Sequence, residues 1–270
     1  MLYLGIIGYP LSHSISPRIH NAVMEYLRIQ GRYLAFEVKP SELKDAIFGA
    51  KALGFTGLNV TIPYKEEVLK FVKPVGEAKL AVNTIDLRKM EGYNTDIYGV
   101  EMAFKNSKLE VEGKIALVVG AGGAGKAIAL ALMKMGAKVV LTNRTESRGL
   151  EAVRELREYG ECIFYPMEKI GELKIDIVAN ATPVGMKGFS SGIPVPEEIL
   201  KPGMIVFDAV YNPVETPLIK KAKEIECRVV SGLEMLVYQA EKAFEIWTGI
   251  KPPVSLMKKV ALEALNFQEK

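Results

Sequence analysis

Residues Asn59-Val60-Thr61-Ile62-Pro63-Tyr64-Lys65 bring two hydrogen-bonding side chains and an amine to the end of one short segment. Asn59 and Thr61 can hold the polar groups of a small molecule, and Lys65 can handle a proton. The β-branched run Val60-Thr61-Ile62 suits a strand, Pro63 ends it, and a helix predicted over 66–71 would hold Lys65 in place. A lysine after a proline is more often a solvated surface residue, so the weight of this reading falls on the rest of the chain.

Gly120-Ala121-Gly122-Gly123-Ala124-Gly125 satisfies G-x-G-x-x-G, a weak pattern by itself. Here it follows an apolar run over 115–119 and opens a helix predicted over 124–135, so helix N-terminal amides can meet a pyrophosphate. The next predicted strand ends Asn143-Arg144-Thr145, where an NAD-binding fold would place an acid for the ribose hydroxyl. Asn143 can hydrogen-bond the ribose and Arg144 can pair with a 2'-phosphate, which favours NADP over NAD.

Asp96, in Gly92-Tyr93-Asn94-Thr95-Asp96, reads either as a helix N-cap or as an acid placed where a nicotinamide must arrive. In the latter case it could share with Lys65 the proton that accompanies hydride transfer. Ser14 and Ser16 lie before Pro17 at the start of a predicted helix. Ser16 reads as its N-cap, and the two hydroxyls beside a helix N-terminus equally make a carboxylate receptor. His13 reads as a structural hydrogen-bonder.

These residues need a scaffold, and the 270-residue chain is long enough for two domains with a core each. Composition is that of a soluble globular protein, 49% hydrophobic and 25% charged. A net charge of +3, with no basic run interleaved with aromatics, argues against nucleic acid. Two histidines without clustered acids point to no metal, and Cys162 and Cys227 form no C-x-x-C pair. No apolar stretch approaches the ~20 residues of a membrane span, and the first strand lacks a basic leader, so a cytoplasmic location is expected. The oligomeric state is left open, a homodimer being compatible.

Strand-like and helix-like runs alternate throughout, the mark of an α/β fold with mostly parallel strands. Strands are expected over 2–7, 34–38, 58–62 and 82–87. One helix is expected from Ser16, with Ile19, Ala22, Val23, Tyr26 and Leu27 as its apolar face, and a second from Ser41 to Gly54. A weakly apolar stretch at 105–113 sets a boundary near residue 100. The second domain, 101–234, reads as one doubly wound sheet, with strands over 115–119, 138–142, 163–165, 177–181, 205–208 and 228–230. Helices fall at 124–135 and 148–159, and the last three strands are expected to have short connections. Ser231 and Glu234 have capping-box spacing for a helix that carries Gln239. With a last helix at 255–265, the segment 235–270 is expected to pack back on the first domain.

In order along the chain, these motifs resemble the shikimate dehydrogenase family over essentially the whole length. To those above are added the Gly8–Pro17 stretch with its His-Ser-x-Ser-Pro core, Ala81-Val82-Asn83-Thr84 and the 180–186 stretch beginning Asn180-Ala181-Thr182. Asp208-Ala209-Val210-Tyr211-Asn212-Pro213 with Thr216-Pro217-Leu218, and the 232–240 stretch beginning Gly232-Leu233-Glu234, complete the set. The resemblance implies an N-terminal substrate-binding domain, a Rossmann NADP-binding domain and reversible interconversion of 3-dehydroshikimate and shikimate. It implies that Ser14 and Ser16 hold the ring carboxylate, that Asn59, Thr61, Asn83, Asp96 and Gln239 hold ring hydroxyls, and that Lys65 and Asp96 are the catalytic pair. By the same resemblance, Asn143, Arg144, Thr145 and Arg148 face the adenosine phosphate. Thr182, Val184, Met186, Ala209 and Gly232 line the cofactor with the 120–125 glycine loop, and Tyr211 sits by the nicotinamide and substrate. Which of Lys65 and Asp96 transfers the proton stays open. Competing readings are a quinate/shikimate dehydrogenase using NAD, a non-catalytic NADP-sensing protein, and a folate- or tRNA-linked reductase.

Overall fold

The computed structural model describes residues 1–11 and 14–268, the last without its side chain; His13 lies outside them. The chain divides into two compact units, Met1–Thr95 with Val237–Lys270, and Asp96–Leu236. Among the described residues no helix is long and apolar enough to cross a membrane.

The first unit opens with two βαβ steps. Strand β1 (Leu2–Gly8) leads through α1 (Ser16–Tyr26) to β2 (Gly31–Glu37), and β2 leads through α2 (Leu43–Ala52) to β3 (Gly57–Val60). All three strands are parallel, with β1 in the middle. The sheet then departs from the expected parallel pattern. Strand β5 (Thr84–Asp86) runs antiparallel to β3, and β6 (Glu91–Tyr93) runs antiparallel to β5. The short edge strand β4 (Lys73–Pro74) pairs with β6, giving the order β2-β1-β3-β5-β6-β4. The physical reason lies in the connection from β3 to β5. Its helical parts are two 3-10 turns, at Glu67–Lys70 and Gly76–Lys79 on either side of β4, and no α-helix carries the chain back for a parallel crossover.

Other local expectations are corrected as well. The segment predicted as a helix over 66–71 is that first 3-10 turn, and β3 ends at Val60, so Thr61 lies in the turn beyond the strand. Ser16 is the first residue of α1 and not its cap: Ile15 holds that position and makes no capping bond with its side chain. With its own backbone already helical, Ser16 cannot aim its hydroxyl at the first free amides. Ser41 falls in a 3-10 turn, Pro40–Glu42, ahead of α2. Asp96 lies in the first turn of α3 (Thr95–Asn106) and does not cap it.

The second unit is a six-stranded parallel sheet, β12-β11-β10-β7-β8-β9. Its strands are β7 (Ile115–Val119), β8 (Lys138–Thr142), β9 (Cys162–Phe164), β10 (Ile177–Asn180), β11 (Ile205–Asp208) and β12 (Arg228–Ser231). Helix α4 (Gly123–Lys134) follows β7, and α5 (Glu146–Leu156) follows β8 two residues earlier than expected. Ala116 to Val119 are all buried, as suits a central parallel strand covered on both faces. The last connections are not short. Residues 181–204 form a long excursion with only a 3-10 turn, and an unexpected helix, α6 (Pro217–Glu224), joins β11 to β12. Thr216 caps α6 through the Ile219 amide (3.2 Å), with Pro217 at its first position, a start signal present in the sequence.

Helix α7 (Gly232–Thr248) begins in the second unit and carries its later turns, with α8 (Val254–Gln268), into the first. Ser231 accepts from the Leu233 amide at 3.2 Å, an N-cap bond to the second helical residue and not the Glu234 amide that a capping box uses. In the first unit, the buried Trp247 indole donates to the Ile85 carbonyl (2.9 Å). Gly57 makes room for this, since a Cβ there would overlap the indole ring.

Beside Trp247, His20 is fully buried, stacked on Tyr33 with ring centroids 4.4 Å apart, and neither ring nitrogen has a hydrogen-bond partner among the described residues. Burial pushes its imidazole down to about 3. The native state therefore holds His20 neutral at pH values where the unfolded chain, titrating near 6.5, takes up a proton. Its stability contribution is complete above pH 6.5 and is lost as pH falls toward 3. His20→Phe should remove this term. Denaturant titrations at about pH 7 and about pH 5 should show the wild type losing on the order of 2 kcal/mol more than the variant between the two pH values.

Candidate active site

Lys65 follows a turn that is tied down at both sides. Thr61 donates its amide to the Ile7 carbonyl (3.0 Å), Tyr9 donates to Ile62 O (3.0 Å), and Tyr64 donates to Thr61 O (2.9 Å). The Tyr64 ring is fully buried and its hydroxyl donates to the Val38 carbonyl. The Lys65 carbonyl then accepts from Val82 N at 2.7 Å, so the half-buried lysine is anchored beside the entry to β5.

The next residue, Asn83, is the hub of this unit. Its Oδ1 accepts from the Thr95 amide (2.7 Å), the Thr95 hydroxyl (3.1 Å) and the Thr84 hydroxyl (3.1 Å). Its Nδ2 donates to Thr95 Oγ1 (3.0 Å) and to Gln239 Oε1 (3.4 Å). Thr95 Oγ1 also donates to Gln239 Oε1 at 3.4 Å. Asn83 thus satisfies a first-turn amide of α3, one of the orphan donors every helix start must place. It fixes that helix immediately before Asp96, which is 4% exposed. A carboxylate in the first turn is favoured by the helix dipole. Gln239 reaches the network from α7, as a polar side chain directed at packed surface should.

Asn59 is engaged from behind. Its Oδ1 accepts from the buried Tyr33 hydroxyl (2.7 Å), and its Nδ2 donates to Asn83 O (3.1 Å) and Thr84 Oγ1 (3.0 Å). Both amide hydrogens are used, leaving one carbonyl lone pair for a ligand. Ser14 is half-buried and Ser16 is 5% exposed, with the Ser16 amide 3.4 Å from Ser14 Oγ. Tyr33, Thr84 and Thr95 were missed as part of this site. The only sequence signal was that Thr84 and Thr95 neighbour residues already singled out.

In the second unit the three fingerprint glycines have three separate uses. Gly120 turns the chain at φ +109°, a conformation that L side chains rarely adopt. Gly125 lets α4 lie against the loop, since a Cβ there would overlap the Gly120 carbonyl. At Gly122, among the described residues, nothing lies within 4 Å of where a Cβ would stand, and no side chain caps the first turn of α4. That open, uncapped helix start between glycines fits a dinucleotide pyrophosphate. Asn143 has a part not foreseen. Its Oδ1 accepts from the Ala121 amide (3.1 Å) and its Nδ2 donates to Thr145 O (2.8 Å), tying the glycine loop to the end of β8. Arg144, Thr145 and Arg148 are exposed beyond it.

At the ends of β10 and β11 a buried carboxylate organises two loops. Asp208 Oδ1 accepts from Asn180 Nδ2 (2.9 Å) and Val210 N (3.0 Å), and its Oδ2 accepts from the Thr216 hydroxyl (2.6 Å). Desolvation raises the carboxyl's pKa, against the opposing hydrogen bonds from Thr216, Val210 and Asn180. Asn180 Oδ1 in turn accepts from Thr182 N (2.9 Å) and Thr182 Oγ1 (2.7 Å). Ala209 continues the ladder by donating to Asn180 O (3.0 Å), and the half-buried Tyr211 follows, its hydroxyl pushed up by desolvation. Gly232 packs directly on Asp208 and Ala209, whose backbone a Cβ would overlap. Val184 and Met186 lie in the loop after Thr182, where Met186 N donates to Pro183 O (3.1 Å). Among the described residues no group of three or more His, Cys, Asp or Glu could hold a metal ion.

Removing the Asn83 hub should cost more than removing its outer partner. Asn83→Ala strands the Thr95 amide and takes one partner from each of two buried threonine hydroxyls, and should destabilise by ~2–3 kcal/mol in denaturant titrations. Gln239→Ala, whose two hydrogen bonds to this hub are long at 3.4 Å, should cost about 1 kcal/mol or less.

Comparison with known proteins agrees with both halves of this geometry. Residues 6–85 match the model of the shikimate dehydrogenase substrate binding domain, and residues 232–262 match that of the shikimate 5'-dehydrogenase C-terminal domain. Residues 114–176 match the short chain dehydrogenase model. A shikimate dehydrogenase (NADP(+)) of Archaeoglobus fulgidus is 61% identical, with 99% of this chain and 100% of the relative covered. Among solved structures, a shikimate dehydrogenase in complex with NADP+ superposes with a TM-score of 0.90 at 37% identity, covering 98% of this chain and 96% of that one. The shikimate 5-dehydrogenase of Thermus thermophilus, in complex with NADP(H) and shikimate, has a TM-score of 0.87 at 35% identity, covering 98% and 100%. With identity of this order running the full length of both chains, and matches at either end of the first unit as well as in the glycine-loop sheet, the chain belongs to the shikimate dehydrogenase family.

Proposed function

We propose that the protein is a shikimate dehydrogenase, which catalyses the reversible NADPH-dependent reduction of 3-dehydroshikimate to shikimate on the route to aromatic amino acids. The observation that carries this reading is the pair of anchors on adjacent residues: Val82 holds the Lys65 backbone, and Asn83 holds Thr95, the residue before Asp96. One rigid turn thereby sets the origin of both the amine and the acid. The naming of the full-length relatives supports the substrate and the cofactor.

The glycine loop, with Thr182, Val184, Met186, Ala209 and Gly232, is proposed to hold the dinucleotide, and Arg144 with Arg148 its 2'-phosphate. When bound, the cofactor supplies a hydride to the substrate ketone. The protein's part is to manage the charge that then develops on the ketone oxygen. The Lys65 ammonium stabilises that oxygen and furnishes its proton, and the Asp96 carboxylate keeps the lysine charged and oriented. Ser14 and Ser16 hold the ring carboxylate. Thr61, Asn83 and Gln239 orient the ring hydroxyls, with Asn59 offering its remaining lone pair, and Tyr211 stands at the nicotinamide. The partners in this reading are two small molecules, with neither nucleic acid nor membrane, and the enzyme works in the cytoplasm.

The function is tested by following NADPH formation with shikimate and with quinate, each against NADP+ and NAD+. Shikimate with NADP+ should be the best pair by kcat/KM, whereas faster turnover of quinate with NAD+ would overturn the reading. Lys65→Ala should lower kcat by ~10²- to 10⁴-fold with a far smaller change in KM, as for a positioned acid or base. An unchanged kcat would return Lys65 to the solvated surface. Arg144→Ala should weaken NADP+ by ~10- to 100-fold while NAD+ use hardly changes, the signature of a lost charge-assisted contact. Parallel loss of both cofactors would make Arg144 structural.

A further inference from the structure

We propose that Asp208 is a positioning residue whose carboxylate holds the 180–186 and 208–212 loops in the shape that receives the cofactor. The inference rests on the cofactor reading above and goes beyond it by naming what builds the receiving surface.

Asp208 is fully buried at the end of β11, yet everything hydrogen-bonded to its side chain is a donor from a loop or helix start. The Val210 amide belongs to its own loop, Asn180 to the neighbouring strand end, and Thr216 to the start of α6. The Asn180 amide passes the constraint onward. With Nδ2 directed at Asp208 and at Val184 O (3.3 Å), its Oδ1 faces both the amide and the hydroxyl of Thr182. Thr182 Oγ1 then accepts from the Val184 amide at 3.3 Å. The relay thus runs from Asp208 through Asn180 and Thr182 to Val184, ordering the turn that precedes Met186. At the far end, Lys187 N donates to Asn212 O (2.9 Å) and joins the two loops a second time.

The chemistry of the donors selects a carboxylate. Three donors converge on two oxygens, so an amide at this position would set an NH2 group against a donor. Burying a charge is costly, and well-packed apolar residues of similar volume often serve stability as well or better. What a carboxylate provides here, and an apolar side chain cannot, is a single orientation for Asn180 and hence one conformation for both loops.

The test combines amide hydrogen exchange on the full-length, cofactor-free protein with NADP+ titration. In Asp208→Asn, exchange at Thr182, Val184 and Val210 should rise at least ~10-fold while β7 amides stay protected, a local loss of order. NADP+ should bind ~10-fold or more weakly and the KM for shikimate should change by less, since of the proposed substrate residues only Tyr211 lies in the loosened loops. Thr216→Val, which removes one donor to the carboxylate together with the cap of α6, should shift both readouts in the same direction by less. Thr216→Ser should restore wild-type values. If Asp208→Asn does not fold, the two Thr216 variants decide the matter. Unchanged loop exchange overturns the proposal, and so does faster exchange with unaltered NADP+ affinity. Wild-type protein that fails to bind NADP+ overturns the cofactor reading beneath it, an outcome separable from the others because exchange is read without cofactor.

Discussion

The site of the first unit depends on one buried carboxamide. Asn83 is 3% exposed, and its two polar atoms meet a helix-start amide, two threonine hydroxyls and a glutamine from the far end of the chain. A buried amide that is nearly saturated has one orientation, because any turn of the group leaves donors facing donors. The residues proposed to face the substrate, on β3, just before β5, on α3 and on α7, inherit that orientation. Tyr33 and Asn59 extend the same lock into the aromatic cluster around Trp247, so packing in the core and geometry at the site are coupled.

The second unit solves the analogous problem in the same way, with a strand-end asparagine whose rotamer is set by its neighbours. Asn180 is to the β10 loop what Asn83 is to the start of α3, and Asn143 ties the glycine loop to the end of β8. Asn180 and Asn143 sit at carboxyl ends of strands, where open α/β sheets bind ligands, and Asn83, just before the antiparallel β5, lies level with the carboxyl end of β3. The rule explains why an amide recurs. It meets donors with its oxygen and acceptors with its NH2 group, whereas a carboxylate can only accept.

Legibility in the sequence followed locality. The second unit's first strands and α4 were readable because apolar runs, glycines and strand ends lie within a few residues of one another. The loop chemistry at Gly120, Gly122 and Gly125 needs only its own segment to be understood. The antiparallel β5 and β6 were not readable, because the cause is an absence: no α-helix forms between 61 and 83 to carry a crossover. Helix α6 was overlooked although Thr216-Pro217 announces it, since Leu218, Ile219 and Ala222 give too short a periodic run to stand out. Asn83 was singled out through resemblance, whereas Ser14 and Gln239 stood out by their places at a helix start and on a helix. The Asn83 hub itself joins residues up to 156 positions apart, a partnership that no local pattern encodes.

The most direct test of the account is a crystal structure of the protein with shikimate and NADP+ both bound. The account predicts the reacting ring hydroxyl within about 2.6–3.2 Å of both Lys65 Nζ and an Asp96 carboxylate oxygen, with Asn83 still accepting from the Thr95 amide. A ring seated with Lys65 out of hydrogen-bond reach, or an Asn83 side chain turned away from Thr95, would contradict it.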